Sequence, residues 1–286
     1  MLKRTAFVWV MLIVAGIASA ATDKAAIDGA FKALQGYDYG GDRAALRPIE
    51  QVLGDLSLRK ELEARFLETL AATKNAGARA YVLERLSVVA SDASVAPVSE
   101  YLADKEFSHL ACMVMERLGS QQSNAALRAA LPKADGQAKV GIINTLGICR
   151  DAEAVQVLVP MINDKQFGPA TITALGRIGT AEVVAPLASL LEKTPAGLEA
   201  VVTDAALDAA SRLVEAGKLD DATKIYEILN HDSRPEAVRF AASRGLIRTK
   251  PAEAAAKVSQ MLASKDKATR AVGLSLASEV PGDAVT

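Results

Sequence analysis

Three short stretches decide the fold: Met115-Glu116-Arg117-Leu118-Gly119, Ile143-Asn144-Thr145-Leu146-Gly147 and Ile172-Thr173-Ala174-Leu175-Gly176. Each places an apolar residue three positions before a Leu-Gly pair. That spacing is close to one helical turn, so both apolar side chains share a helix face. Looser copies end near Leu86, Leu213, Leu246 and Leu276. Successive anchor leucines are separated by 32, 28, 29, 38, 33 and 30 residues, the length of two short helices and their turns.

The flanking residues carry the same pattern. Between Asp151 and Ile162, Val155, Leu158 and Met161/Ile162 recur on one helix face; Phe167, Ala170, Ala174, Leu175 and Ile178 repeat it. Asn163-Asp164-Lys165 breaks the chain between the two, and Gly179-Thr180 closes the unit, with Thr180 expected to cap the next helix. Equivalent punctuation stands at Ala103-Asp104-Lys105, Asp135-Gly136 and Asn230-His231-Asp232-Ser233. One such hairpin cannot bury its apolar face alone, whereas stacked hairpins share a continuous core. The expected fold is therefore all-α: an α-solenoid of about eight stacked antiparallel helix hairpins, with no strand.

Composition agrees. Of 286 residues, 50% are hydrophobic but only 4% aromatic, too few for a sandwich or barrel and too apolar for a disordered chain. Lys3 and Arg4 precede an apolar run from Ala6 to Ile17 and then Ala18-Ser19-Ala20, so residues 1–20 are read as a secretory signal peptide. No Cys follows the cleavage position, and no lipid anchor or stable membrane insertion is expected. Without Lys3 and Arg4 the chain carries 31 basic against 34 acidic residues, a net charge of −3, which argues against a nucleic-acid partner. Trp9, the single tryptophan, belongs to the signal.

At these residues a family resemblance enters. Asp151-Ala-Glu-Ala-Val155, Asn163-Asp164 and Ala170-Thr-Ile-Thr-Ala-Leu-Gly-Arg-Ile-Gly179 resemble the HEAT repeat in its short bacterial form, seen also in phycobilisome-lyase-like proteins. Pro97 and Pro186 each stand 11 residues after an anchor leucine (Leu86 and Leu175), where that family often has proline in its first helix. Pro235-Glu-Ala-Val-Arg239-Phe-Ala-Ala242 is similar to its second helix. The resemblance covers roughly residues 75–280 and implies an interaction surface rather than an active site. It divides the chain into the signal (1–20), N-terminal capping helices (21–74) and a repeat solenoid (75–286). Near 196–230, Ala196 to Ala216 reads as one long helix ended by Gly217, with Asp220 and Asp221 opening the next. That segment looks like a tetratricopeptide hairpin and is expected to change the superhelical curvature locally.

Candidate chemistry is sparse. His109, Cys112 and Glu116 share a helix face, but a zinc site wants more ligands than these, so no metal is expected. Cys112 lies six residues before Leu118 and Cys149 three after Leu146. Those nine residues span about 13 Å axially, beside about 8–10 Å between neighbouring helices, against a bridging limit of about 7 Å; no disulfide between them is expected. There is no G-x-S-x-G elbow, haem attachment motif or phosphate loop, and Gly40-Gly41-Asp42 reads as a turn before a helix. Glu61, Glu63 and Glu68 with Arg59, Lys60 and Arg65 read as a solvated helix face. No catalytic or cofactor-binding residue is expected. A mild polar stripe two positions before the anchors, Glu116, Asn144 and Thr173, is the expected binding surface. Tyr37, Tyr39 and Tyr81 offer either an aromatic binding surface or a cap over the open first hairpin, and capping is the favoured reading. The helix near Ala268 to Glu279 lacks a polar cap, which points to a covering partner or a longer chain. The functional expectation is an exported, non-enzymatic scaffold binding another protein in the periplasm or outside the cell. The alternative is an accessory module of a larger exported sugar-processing or cytochrome-containing enzyme.

Overall fold

The computed structural model describes residues 24–278 and 280; the expected signal peptide lies outside them. Among the described residues every regular element is helical, each helix packed against its neighbours, and there is no strand. The chain forms two compact units, 1–130 and 131–286.

In the first unit α1 (24–35), α2 (Arg47–Val52), α3 (Arg59–Ala72), α4 (Ala76–Val89), α5 (Val95–Ser99), α6 (Ser108–Leu118) and α7 (Gln121–Ala130) follow one another. Their core is built from Leu34, Ile49, Phe66, Leu83, Leu86, Val98, Leu102 and Met115, all fully buried. Phe31 of α1 meets Phe66 of α3 at 5.1 Å, and the Arg65 guanidinium covers Phe31 while pairing with Asp28 at 2.7 Å. Helix α4 packs between α3 and α6.

The second unit contains α8 (Gly136–Ile148), α9 (Val155–Leu158), α10 (Gly168–Ile178), α11 (Val184–Glu192), α12 (Glu199–Glu215), α13 (Leu219–Leu229), α14 (Glu236–Thr249), α15 (Pro251–Leu262) and α16 (Lys267–Ala277). Here α8 packs on α10 and α10 on α12, and two glycines set how close they come. A Cβ at Gly147 would fall 2.8 Å from the Ala174 Cα, and one at Gly176 would fall 2.6 Å from the Ala205 Cα and carbonyl oxygen. The same close approach thus recurs one period later.

A second repeated device is the turn before the later helix. Asp104 Oδ1 accepts from the Glu106 and Phe107 amides at 2.8 and 2.9 Å, and Asp164 Oδ1 accepts from those of Gln166 and Phe167 at the same distances. Both phenylalanines are buried. The anchor leucines Leu86, Leu146, Leu175 and Leu213 are fully buried, while Leu118 and Leu246 are half-buried. Leu146 and Leu213 play the same backbone role: each carbonyl accepts from the amide five residues on, the mark of a Schellman ending. Gly217, in the left-handed region at φ +72°, ends the 17-residue α12, and Asp220 and Asp221 stand in the first turn of α13.

Three local expectations need correction. Asp151 to Ile162 is not one helix but α9 flanked by one-turn 3-10 helices, Ala152–Ala154 and Val159–Met161. Pro160 lacks an amide hydrogen and its ring crowds the carbonyl four residues back, so the α-helical ladder stops there. The apolar face survives, with Val155, Leu158 and Ile162 buried. Thr180 precedes the 3-10 helix Ala181–Val183 without a side-chain cap; its carbonyl closes that turn by accepting from the Val183 amide at 3.2 Å. The third concerns Glu63, which is only 6% exposed and so lies off the solvated face on which Lys60, Glu61 and Glu68 stand.

Candidate functional site

Glu116, Asn144 and Thr173 are distributed over both units. Glu116 is exposed on α6; Asn144 and Thr173 are half-buried on the packed neighbours α8 and α10. The Thr173 hydroxyl donates to the Pro169 carbonyl at 3.0 Å, which turns its polarity back onto its own helix. His109, second residue of α6, is exposed, whereas Cys112 one turn on is buried and Cys149 is partly buried. Among the described residues no three His, Cys, Asp or Glu side chains gather as metal ligands would.

The three N-terminal tyrosines separate into two roles. Tyr37 and Tyr81 are buried and meet edge-on at 6.3 Å. Their hydroxyls are tied into a charged cluster. Arg43 Nε donates to Tyr37 Oη at 2.9 Å, Tyr81 Oη donates to Glu50 at 2.7 Å, and Arg85 grips the same carboxylate at 2.8 and 2.9 Å. The Arg85 guanidinium also lies 4.6 Å from the Tyr81 ring centre and pairs with Glu84 at 3.0 Å. Partial burial pushes the Glu50 carboxyl up, but the Arg85 and Tyr81 bonds and the nearby arginine charges outweigh it and hold the carboxyl below its ordinary range. Burial, then Glu50, drives the Tyr81 hydroxyl far above the usual tyrosine range.

Tyr39 is different: it is 58% exposed. Its loop is nevertheless clamped. Asp38 Oδ1 accepts from both the Tyr39 and Gly77 amides at 2.9 Å, bonds that hold the Asp38 carboxyl below its usual value. Gly77 lies at the start of α4, and a Cβ there would sit 2.6 Å from Asp38 C and Tyr39 N. Only glycine lets the loop lie this close. Partial burial and the Glu106, Asp38 and Glu84 carboxylates push the Tyr39 hydroxyl upward. The result is an aromatic ring presented to solvent from a fixed backbone, beside an arginine-tyrosine cluster.

Reading the sequence alone misses Glu50, Arg85 and Glu63, because their partners are distant in the chain. Glu50 meets residues 31 and 35 positions away. Glu63 accepts from the Ser91 amide at 2.7 Å and from the Ser91 and Ser94 hydroxyls at 2.8 and 2.6 Å, while Arg59 donates to the Val89 and Ala90 carbonyls at the end of α4. A Ser-x-x-Ser after a helix end is a weak hint of such a carboxylate seat. No protein-family model matches the chain, and no curated protein matches it in sequence.

Proposed function

We propose that this chain is an exported, non-enzymatic scaffold of HEAT-like stacked hairpins that binds another protein outside the cytoplasm. The leader-like residues 1–20 support export. The solenoid reading rests on the repeated Leu-Gly period, the two matching Asp turns and the recurring glycine approach between α8, α10 and α12. Binding rests chiefly on Tyr39. A half-exposed tyrosine on a clamped loop loses little conformational freedom on association, and tyrosine and arginine dominate the energetics of protein interfaces.

The test has two parts. Fractionation with N-terminal sequencing should place the product outside the cytoplasm, beginning at Ala21. A pull-down of that mature form should recover a protein partner whose affinity falls at least about 10-fold in Tyr39→Ala, in line with a hot-spot residue. Recovery of no partner together with turnover by the isolated chain, or an unchanged affinity in Tyr39→Ala, would overturn the reading.

A further inference from the structure

The second unit holds a small cavity of about 190 Å³ between α13, α14 and α15, with polar and apolar walls. The Asn230 amide fixes the arrangement. Its nitrogen donates to Ser243 Oγ at 2.9 Å and to the Arg239 carbonyl at 3.1 Å, while its oxygen accepts from Lys257 Nζ at 3.2 Å. This is the orientation in which both the oxygen and the nitrogen of the amide find a partner of the right kind. Ser243, 95% buried by its 5% relative exposure, then uses its oxygen as the acceptor, which frees its hydroxyl hydrogen from Asn230 for another acceptor in the cavity it lines. Lys257 spends one of its three N–H donors on Asn230 and keeps the others for whatever enters.

The remaining walls define the occupant. Lys250 is engaged with Glu227 at 2.7 Å, and Glu253 lines the same space. Two carboxylates against two ammonium groups leave the lining neutral, which disfavours a dianion such as phosphate and tolerates a single negative charge. Leu246, Ile247 and Ala254 form an apolar side. The geometry points to a site for a short-chain carboxylate: its head group accepts from Ser243 Oγ and Lys257 Nζ, and its alkyl portion lies on Leu246, Ile247 and Ala254. The carboxylate is either that of a small free acid or the terminus of a peptide. This site is independent of Tyr39, which belongs to the other unit.

The experiment is an amide-detected NMR titration of the mature chain with butyrate at constant ionic strength, with chloride and inorganic phosphate as comparison anions. Expected are saturable shifts at the Asn230 side-chain amide and the Ser243 backbone amide, specific to butyrate. Lys257→Gln, a change at an exposed position, and Ser243→Ala should each weaken binding about 10-fold or more. A parallel titration compares a short peptide with a free C-terminus and its C-terminal amide. Preference for the free-acid peptide over butyrate identifies a peptide terminus as the ligand, and preference for butyrate identifies a small acid. Shifts that are linear, equal for chloride, or unchanged in both variants would overturn the proposal.

Discussion

Replacing Gly176 with Ala tests the close backbone approach of α10 to α12 in the second unit. In an isolated helix this change is favourable by about 0.5–1 kcal/mol, because alanine has less backbone freedom to lose. Here the new methyl carbon would sit 2.6 Å from both the Ala205 Cα and its carbonyl oxygen. Those are backbone atoms, so no side-chain rotation relieves the clash and α10 must move away from α12. Overpacking of this kind costs about 1–3 kcal/mol, so at the midpoints of the two ranges the net loss is about 1 kcal/mol. Gly29 is the control: it lies in α1, is exposed, and an added Cβ would meet nothing within 4 Å. Gly29→Ala should therefore stabilise by about 0.5–1 kcal/mol. Thermal unfolding followed by circular dichroism reads both, at about 2–4 °C per kcal/mol for a unit of this size. Opposite signs are expected. If Gly176→Ala melts with or above the parent chain, the helices do not approach as described.

Glu63→Ala should destabilise the first unit by about 1–3 kcal/mol in urea unfolding, since the fully buried Ser94 hydroxyl loses its acceptor; an unchanged midpoint would contradict the buried seat. Arg150 sits in the left-handed region at φ 52° as the closing residue of α8, so Arg150→Gly should raise stability by about 1 kcal/mol, and a loss would mean that its side chain holds something. Glu50 has a depressed folded-state pKa, so its contribution is fully present above its unfolded value near 4.5 and disappears as pH falls through the folded value. The stability difference between the parent and Glu50→Gln should therefore be constant from neutral pH to about 5 and shrink below 4.5. A difference that grows on acidification would show the sign to be wrong.

How much was legible varies with the range of the interaction. Local devices were readable: Gly217 ends α12, Asp220 and Asp221 open α13, and Asp164 organises the turn before α10. These depend on residues within a turn of one another, which is the range over which sequence spacing translates into geometry. The break at Pro160 was also written there, but the periodicity of Val155, Leu158 and Ile162 masked it. Of the expected polar stripe, Asn144 and Thr173 do lie on packed neighbours, yet the Thr173 hydroxyl is spent on its own helix.

By itself, the sequence determined that the chain is helical and where most of its turns fall, because apolar spacing and turn chemistry act within a few residues. It could not distinguish the three Leu-Gly pairs. Gly119 takes φ +54° and ends α6, whereas Gly147 and Gly176 stay within their helices and admit the Ala174 and Ala205 backbones. Only the tertiary structure decided between those roles, as it decided that Glu63 is buried among serines and that Tyr37 and Tyr81 go under while Tyr39 stays out. The physical reason is common to all of them: each outcome is set by which distant backbone or side chain arrives at the position, and nothing in the residue's own neighbourhood encodes that arrival.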